Sequence, residues 1–586
     1  MILGPNINVA CAQLLLEEYA RCGGRHVFAT PGSRSAPLAV AAARSTNVAL
    51  HMCVDERTAS FAALGAVRTS GAPAVVFTTS GTAVANVLPS VVEANESGLP
   101  LLVLSADRPA ELLECGANQA IRQESMFGSQ VRWAFQLPVP RDGADARVWL
   151  SAMDQAMARA QGTRPGPVHL NLPLDEPLAP IDVPFRFEPA AAVDRWLGQA
   201  APWRRHHTPH VGLRDASALE AILCSARDGV IVVGAIDNPE EAYHARALAQ
   251  RAPWPVIADL SSGLRAPVNQ PRTLRHGSLL LRSASACAGG VLPRPDVVLR
   301  VGGPCAWRHV DEWCASAGRL VVAGTGTRFD PCHSAADHAP TSLAELSALE
   351  GWKDCESSAS TGQWERADQL ADAVLRQGVE LTEGPLTEPA IAAAVLAHLP
   401  DGAVLVAGSS MPVRDLEAFG GGIARSGRCM ANRGASGIDG TLATAAGASI
   451  ASGEPVVALV GDLATLHDLS SLELLRRVPA PVLLVVVNND GGGIFESLPI
   501  ASHADVVGPA FTTPHGLGFA GAATMFGLGY RRVTTGAELR TALRSGTSPA
   551  KLKRSTIVEV IVHRQSSAAA RAALFARLGD ELRRDA

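Results

Sequence analysis

Residues 456–495 read VVALVGDLATLHDLSSLELLRRVPAPVLLVVVNNDGGGIF. An apolar, β-branched run from Val456 to Val460 stops at Gly461-Asp462. A helical stretch follows, then a break bracketed by Pro479 and Pro481. A second apolar run, Val482 to Val487, stops at Asn488-Asn489. Short apolar runs bounded by glycine and proline predict buried strands. A strand–helix–strand unit lays its strands parallel, so both ends fall on one edge of the sheet. Open α/β sheets bind ligands along that edge.

The groups at those ends suit a hard cation. Asp462 offers a carboxylate and Asn489 an amide oxygen. The glycines at 491–493 let a backbone carbonyl, that of Gly491, turn inward. Three oxygen ligands with positions left open suit Mg2+ held together with phosphate groups. A lone Gly-Asp or Asn-Asn pair is an ordinary loop feature. Both pairs, at the ends of successive strands, favour a cation–diphosphate site.

The rest of the chain bounds what surrounds that site. With 586 residues it is too long for one ordinary domain. Its 47% hydrophobic and 18% charged content is that of a globular chain, and a net charge of −5 implies no nucleic-acid partner. No apolar run reaches the roughly 18 residues a membrane span needs. The first residues, MILGPNINVACAQLLLEEYA, lack a basic start and read as a helix rather than a signal peptide. The 11 cysteines include no CxxC pair, so no disulfide framework or structural zinc is expected and a reducing cytoplasm fits. Only Lys353, Lys551 and Lys553 are lysines, and with the many alanines this arginine bias suggests a bacterial source.

Three blocks alternate strand and helix, which predicts an α/β protein of three consecutive doubly wound parallel-sheet domains. The first spans 1–185, with strands at Val75–Phe77, Leu101–Leu104 and Val168–Leu172 and helices at Glu56–Val67 and Ala83–Ala94. A proline-rich linker follows at 186–213. The second block, 214–345, has strands Val230–Val233, Val297–Val301 and Leu320–Ala323. A helical connector spans 346–379, and the third block, 380–586, ends in a short amphipathic helix from Ser566 to Ala586. Gly324-Thr325-Gly326-Thr327-Arg328-Phe329 superficially follows a dinucleotide loop. Phe329 stands where the third close-packing glycine is needed, so a nicotinamide site is not expected.

Two turns in the first block carry chemistry. Asp55-Glu56-Arg57 opens a helix after a strand, where a carboxylate is electrostatically favourable. Thr78-Thr79-Ser80-Gly81-Thr82 is a small, hydroxyl-rich turn that admits a ligand closely and can also cap a helix.

The Gly461-Asp462…Asn488-Asn489 arrangement resembles the diphosphate signature of thiamine diphosphate (ThDP) enzymes, with Leu463 where glycine is common. Several stretches sharpen the resemblance. They are Pro31-Gly32-Ser33-Arg34-Ser35, Asp55-Glu56-Arg57, Ser105-Ala106-Asp107-Arg108-Pro109 and Gly116-Ala117-Asn118-Gln119. Gly408-Ser409-Ser410-Met411-Pro412-Val413-Arg414 and Asn432-Arg433-Gly434-Ala435-Ser436-Gly437-Ile438-Asp439-Gly440 complete them. Together they are similar to the 2-succinyl-5-enolpyruvyl-6-hydroxy-3-cyclohexene-1-carboxylate (SEPHCHC) synthases of menaquinone biosynthesis. The match covers the first and third blocks and is weak across the middle one.

The resemblance implies a transferase that decarboxylates 2-oxoglutarate and adds the remaining four-carbon unit to the ring alkene of isochorismate. It implies ThDP and Mg2+ or Mn2+ as cofactors, with Asp462, Asn489 and Gly491 at the metal. Glu56 would be catalytic, acting on the aminopyrimidine ring. Ser80, Gly81, Ser436, Ile438, Gly461, Leu463 and Ile494 would complete the cofactor site, Ile438 supporting the bent cofactor. Ser33, Arg34, Arg108, Asn118, Gln119, Ser410, Arg414, Arg433 and Phe495 would meet substrate. Both substrates are dicarboxylates, and arginine grips carboxylates bidentately. A single arginine is usually a surface ion pair; Arg34, Arg108, Arg414 and Arg433 in glycine- or serine-rich turns favour anion binding. Some family members place a middle-block lysine near the substrate. This chain has none there, which leaves Arg308 or Arg328 as stand-ins. The family also implies a homodimer or homotetramer with the active site at the subunit interface. A pyruvate-using carboligase of the acetolactate synthase kind and a non-catalytic ThDP-binding protein are the alternatives.

Overall fold

The computed structural model describes residues 3–207, 216–265, 272–285, 290–325, 329–381, 384–421, 427–547 and 552–586. Strands β1 (His26–Ala29), β2 (Ala49–Met52), β3 (Ala74–Thr78), β4 (Leu101–Asp107), β5 (Trp133–Gln136) and β6 (Val168–Pro173) form one sheet, in the order β2-β1-β3-β4-β6-β5. A second sheet holds β7 (Gly229–Val233), β8 (Val256–Ala258), β9 (Thr273–Leu274), β10 (Val297–Val301), β11 (Arg319–Ala323) and β12 (Asp337–Ala339), ordered β12-β11-β10-β7-β8-β9. The third holds β13 (Val404–Ala407), β14 (Arg428–Ala431), β15 (Val456–Gly461), β16 (Val482–Asn488), β17 (Gly529–Val533) and β18 (Thr556–Ile561), ordered β14-β13-β15-β16-β18-β17.

Every strand pairing among the described residues is parallel. The expected doubly wound α/β class is therefore what the chain forms. The first and third sheets repeat one strand order, whereas the middle sheet has the order of dinucleotide-binding folds. Parallel sheets are covered on both faces. That is why β3, β4 and β16 are apolar at nearly every position and buried throughout.

In the middle sheet the crevice at the strand-order reversal is closed. The Arg300 guanidinium donates to the carbonyls of Val301 and Gly303. A Cβ on Gly234 would stand 1.9 Å from the Gly303 oxygen. Of the superficial dinucleotide loop, residues 326–328, including Arg328, lie outside the described residues.

Contacts divide the described chain into two compact units. The first contains residues up to 207 with two later segments, Leu442–Ser452 and Ser470–Arg477. In it the helices Glu56–Ser70 and Thr441–Ser452 approach through glycines. A Cβ on Gly65 would lie 2.1 Å from the Thr444 oxygen, and one on Gly447 would lie 1.8 Å from that of Ala62. The second unit contains the middle and third sheets.

Three details differ from the sequence reading. The helix expected over Ala83–Ala94 is two, Thr82–Asn86 and Leu88–Ser97, parted at Val87. Pro89 has no N–H for a continuous helix but fits the first turn of a new one. Cys224 and Cys355, 131 residues apart, form a disulfide that no cysteine spacing foretold. The C-terminal helix is long, Arg564–Asp585, and buries Ser567, Arg571, Leu574, Leu578 and Leu582 along one face.

Candidate active site

A cavity of about 410 Å³ opens in the second unit where the chain leaves β13, β14, β15 and β16. From β13 the chain runs to one side to form β14 and returns to the other to form β15. The loops leaving such strands diverge and leave a crevice. In register, Gly461 at the end of β15 lies opposite Val487, so Asp462 and Asn489 follow from neighbouring strand ends. Both line the cavity, as do Gly461, Leu463, Gly491, Ile494 and Phe495. Ser410, Arg414, Arg433, Ser436 and Ile438 line it as well.

Asp462 is buried, opening the helix Asp462–His467. Its Oδ1 accepts the Leu463 N–H at 2.7 Å, and its Oδ2 accepts the Gly491 N–H at 2.9 Å. His515 Nε2 stands 3.2 Å from the same Oδ2. The Leu517 N–H donates to His515 Nδ1 at 2.9 Å, which fixes the tautomer with the proton on Nε2, as the donor to Asp462. Burial holds the Asp462 carboxyl above the usual carboxylate range, against these hydrogen bonds.

Asn489 donates from Nδ2 to Glu388 Oε1 at 2.7 Å. Its Oδ1 is buried and has no hydrogen-bond partner. Gly491 has a φ of +127°, and a Cβ there would stand 2.0 Å from the Thr512 oxygen, so only glycine fits. The Gly491 carbonyl accepts one hydrogen bond, from Gly493 N–H at 3.0 Å. Lone pairs remain on Asp462 Oδ1, Asn489 Oδ1 and the Gly491 carbonyl. An orphaned buried amide oxygen beside a carboxylate is the donor set a hard divalent cation completes. Ser410, Ser436 and Asp490, all in loops of this site, hold positive φ. Such backbone costs of order 1–3 kcal/mol each and clusters where function over-determines it.

The two arginines that line this cavity, Arg414 and Arg433, are neighbours. Arg414 Nη1 donates to the Ser410 carbonyl at 2.6 Å. Arg433 Nη2 reaches the Ala306 carbonyl at 3.5 Å, and Ser436 Oγ donates to the Arg433 carbonyl at 3.2 Å. Burial, then the Arg433 charge, lowers the Arg414 pKa. Trp307 Nε1 donates to the Arg414 carbonyl at 3.0 Å, and the guanidinium lies 5.9 Å from the Trp307 ring centre. Arg308, expected as the middle block's stand-in cation, points elsewhere: its side chain is 89% exposed and pairs with Glu312 at 2.8 Å. One helical turn sets Arg308 beside Glu312, while its neighbours Ala306 and Trp307 touch the arginine pair. The apolar lining includes Phe495, in edge contact with Phe511 at 5.3 Å, and Ile438, 37% exposed.

The first unit holds a second set. Glu56 is the first residue of its helix, capped by the Asp55 side chain. Its Oε1 accepts from Thr30 Oγ1 at 3.1 Å and its Oε2 from Asn86 Nδ2 at 3.2 Å. Arg108 donates to Ser80 Oγ and to the Gln119 carbonyl at 2.8 Å, and Gln119 Nε2 donates to the Ser80 carbonyl at 2.7 Å. Gly81 has a φ of +84°, and its N–H donates to Gln123 Oε1 at 2.8 Å. Arg34 donates to the Leu174 carbonyl at 2.8 Å, and its buried Nε has no partner. Partial burial, then the Arg34 charge, lowers the Arg108 pKa. Arg34 also stands 3.9 Å from a Glu176 carboxylate oxygen. Ser33 and Asn118 are exposed, next in sequence to Arg34 and Gln119.

Four contributors were invisible to sequence reasoning: Glu388, His515, Trp307 and Gln123. Each reaches the site through a contact over 42 residues or more. His515 and Trp307 lie in loops rich in proline or glycine, which is a weak signal at most.

A strand-end cavity lined by Asp462, Asn489 and Gly491 in the third sheet, with the same strand order in the first, points to the class of thiamine diphosphate-binding α/β enzymes. Three family models match in order. They are "Thiamine pyrophosphate enzyme, N-terminal TPP binding domain" over 9–127, "Middle domain of thiamine pyrophosphate" over 188–406 and "Thiamine pyrophosphate enzyme, C-terminal TPP binding domain" over 419–560. A SEPHCHC synthase of Rubrobacter xylanophilus is 40% identical over 575 residues, covering 96% of this chain and 97% of that one. The Salinibacter ruber enzyme of the same name is 41% identical, covering 93% of each chain. That of Myxococcus xanthus is 38% identical, covering 98% of each. The chain belongs to the SEPHCHC synthase family of thiamine diphosphate enzymes.

Proposed function

We propose that the chain joins 2-oxoglutarate to isochorismate with loss of CO2, forming the compound in its relatives' name, a step of menaquinone biosynthesis. The observation that carries this reading is one cavity lined by both Asp462–Asn489 and the pair Arg414–Arg433. Asp462, Asn489 and the Gly491 carbonyl hold Mg2+ or Mn2+ with the cofactor's diphosphate. When bound, ThDP would supply the nucleophilic carbon and the electron sink that decarboxylation of a 2-oxo acid needs. Glu56 accepts and returns a proton at the aminopyrimidine ring, held by Thr30 and Asn86. Ser80, Gly81, Leu463 and Ser436 would bound the cofactor, with Ile438 as its apolar support.

Substrate carboxylates fall to the arginines. Arg414 and Arg433, with Ser410, grip one anion; Arg34 and Arg108, with Ser33, Asn118 and Gln119, grip another. Two cation pairs match substrates with two carboxylates each. Ile494 and Phe495 keep water from the reacting centre. Two or four copies assemble in the cytoplasm, the Glu56 block of one copy completing the cavity of another. No helix among the described residues is long and apolar enough to cross a membrane.

The test is a mass-spectrometric product assay with ThDP, Mg2+, 2-oxoglutarate and isochorismate, run beside pyruvate alone. Product equal to isochorismate plus the decarboxylated four-carbon unit is expected. Turnover of pyruvate alone would move the chain to the acetolactate synthase kind. Bound ThDP with no turnover would make it a binding protein. Dilution should remove activity and ThDP binding together if the assembly completes the site.

A further inference from the structure

The C-terminal helix does more than pack. Arg571 is buried in its first half and bridges two carboxylates. Its Nε and Nη2 grip Asp415 at 2.7 and 2.8 Å, and Nη2 also donates to Glu388 Oε2 at 2.7 Å. The other Glu388 oxygen, Oε1, accepts the Asn489 amide N–H at 2.7 Å. Ser567, one helical turn earlier, accepts the Glu388 backbone N–H at 3.1 Å. Arg564, two turns before Arg571, donates to the Asp490 carbonyl. One helix face therefore reaches the Asn489 turn both directly and through Glu388.

The chemistry of this relay has one consequence. A carboxylate accepts hydrogen bonds and cannot donate them, while an amide has a donor end and an acceptor end. With Glu388 clamped by Arg571, the Asn489 amide must turn its NH2 toward Glu388. Its Oδ1 then faces the other way, and that oxygen is buried without a partner. Gly493 makes room for the pair: a Cβ there would stand 2.5 Å from Asn489 Nδ2 and 3.5 Å from Glu388 Oε1.

We propose that Arg571 and Glu388 are positioning residues that set which end of the Asn489 amide meets the divalent cation, making the C-terminal helix part of the metal site. This rests on the reading of Asp462, Asn489 and Gly491 as cation ligands. Second-sphere partners hold metal ligands in orientation in this way.

The substitution Glu388→Gln tests it sharply. Facing Arg571, the new amide must turn its oxygen to the guanidinium and its NH2 to residue 489. The Asn489 amide then inverts and offers NH2 to the cation. Changing Asn489→Asp as well removes the problem, because a carboxylate has no wrong end. The measurement is Mg2+ affinity of the full-length protein at saturating ThDP, by calorimetric titration, with melting temperatures of each variant alongside.

Glu388→Gln is expected to weaken Mg2+ binding by about tenfold or more, and the double variant to recover to within about threefold of the parent. A merely structural Glu388 would lower the melting temperature without that rescue. Binding within about twofold of the parent in Glu388→Gln, or a loss that Asn489→Asp does not restore, overturns the proposal. Asn489→Ala separates the layers: unchanged Mg2+ affinity there overturns the cation-site reading itself, and the relay with it.

Discussion

Arg414 and Arg433 line one cavity, and burial together with the neighbouring Arg433 charge lowers the pKa of Arg414. Two cations held near each other are costly unless an anion joins them. Arg433→Ala should raise KM for a dicarboxylate substrate by about tenfold to a hundredfold, the range for losing a hydrogen bond to a charged group. Turnover of pyruvate, if any, should change far less. Equal losses for both substrates would mean Arg433 supports the fold rather than the carboxylate.

Trp307 and Arg308 are adjacent, yet they should behave oppositely. Trp307 holds the Arg414 backbone and lies under its side chain. Trp307→Leu is expected to raise KM several-fold, by roughly 1 kcal/mol for one lost hydrogen bond. Arg308→Ala, at a side chain 89% exposed, should leave both kcat and KM unchanged. Steady-state kinetics of the two variants at one substrate pair decide the matter.

Glu56→Gln keeps the shape but loses the proton acceptor. ThDP binding, read by calorimetry, should persist while kcat falls by about a hundredfold to ten-thousandfold. A variant that binds cofactor and turns over normally would remove Glu56 from catalysis.

A separate acidic contact gives the first unit a pH dependence. Burial, then Glu18, pushes the Asp154 carboxyl up to about 8. Glu18 also accepts the backbone N–H of Trp203 and the indole N–H of Trp196, each at 2.5 Å, fastening the segment that follows β6. The folded pKa lies above the unfolded one. Asp154 therefore contributes stability that is fully present below about pH 4 and lost as pH rises through about 8. Melting temperatures taken from pH 5 to 9 should fall for the parent relative to Asp154→Asn. Parallel curves for the two proteins would refute the linkage.

Part of this architecture was legible without coordinates. The runs at 456–460 and 482–487 became β15 and β16, because strands buried on both faces need apolar residues at every position. Ser410, Arg414, Arg433, Ser436 and Ile438 were found through loop motifs, and the cavity gathers them with Asp462 and Asn489. Glycines and prolines marked most strand ends. One helix was expected straight through Pro89, whereas the chain breaks at Val87 and Pro89 falls in the first turn of a second helix.

The sequence by itself determined the doubly wound class, the strand ends that line the cavity and the residue types at those ends. These follow from local periodicity and from side-chain chemistry, which need only neighbours in the chain. Tertiary structure alone decided that Glu388 holds Asn489 across 101 residues, that Arg571 holds Glu388 across 183, and that Trp307 rather than Arg308 reaches the arginine pair. Such contacts depend on how helices close over a finished sheet. A buried carboxylate or guanidinium takes its partner from the space around it, not from its place along the chain.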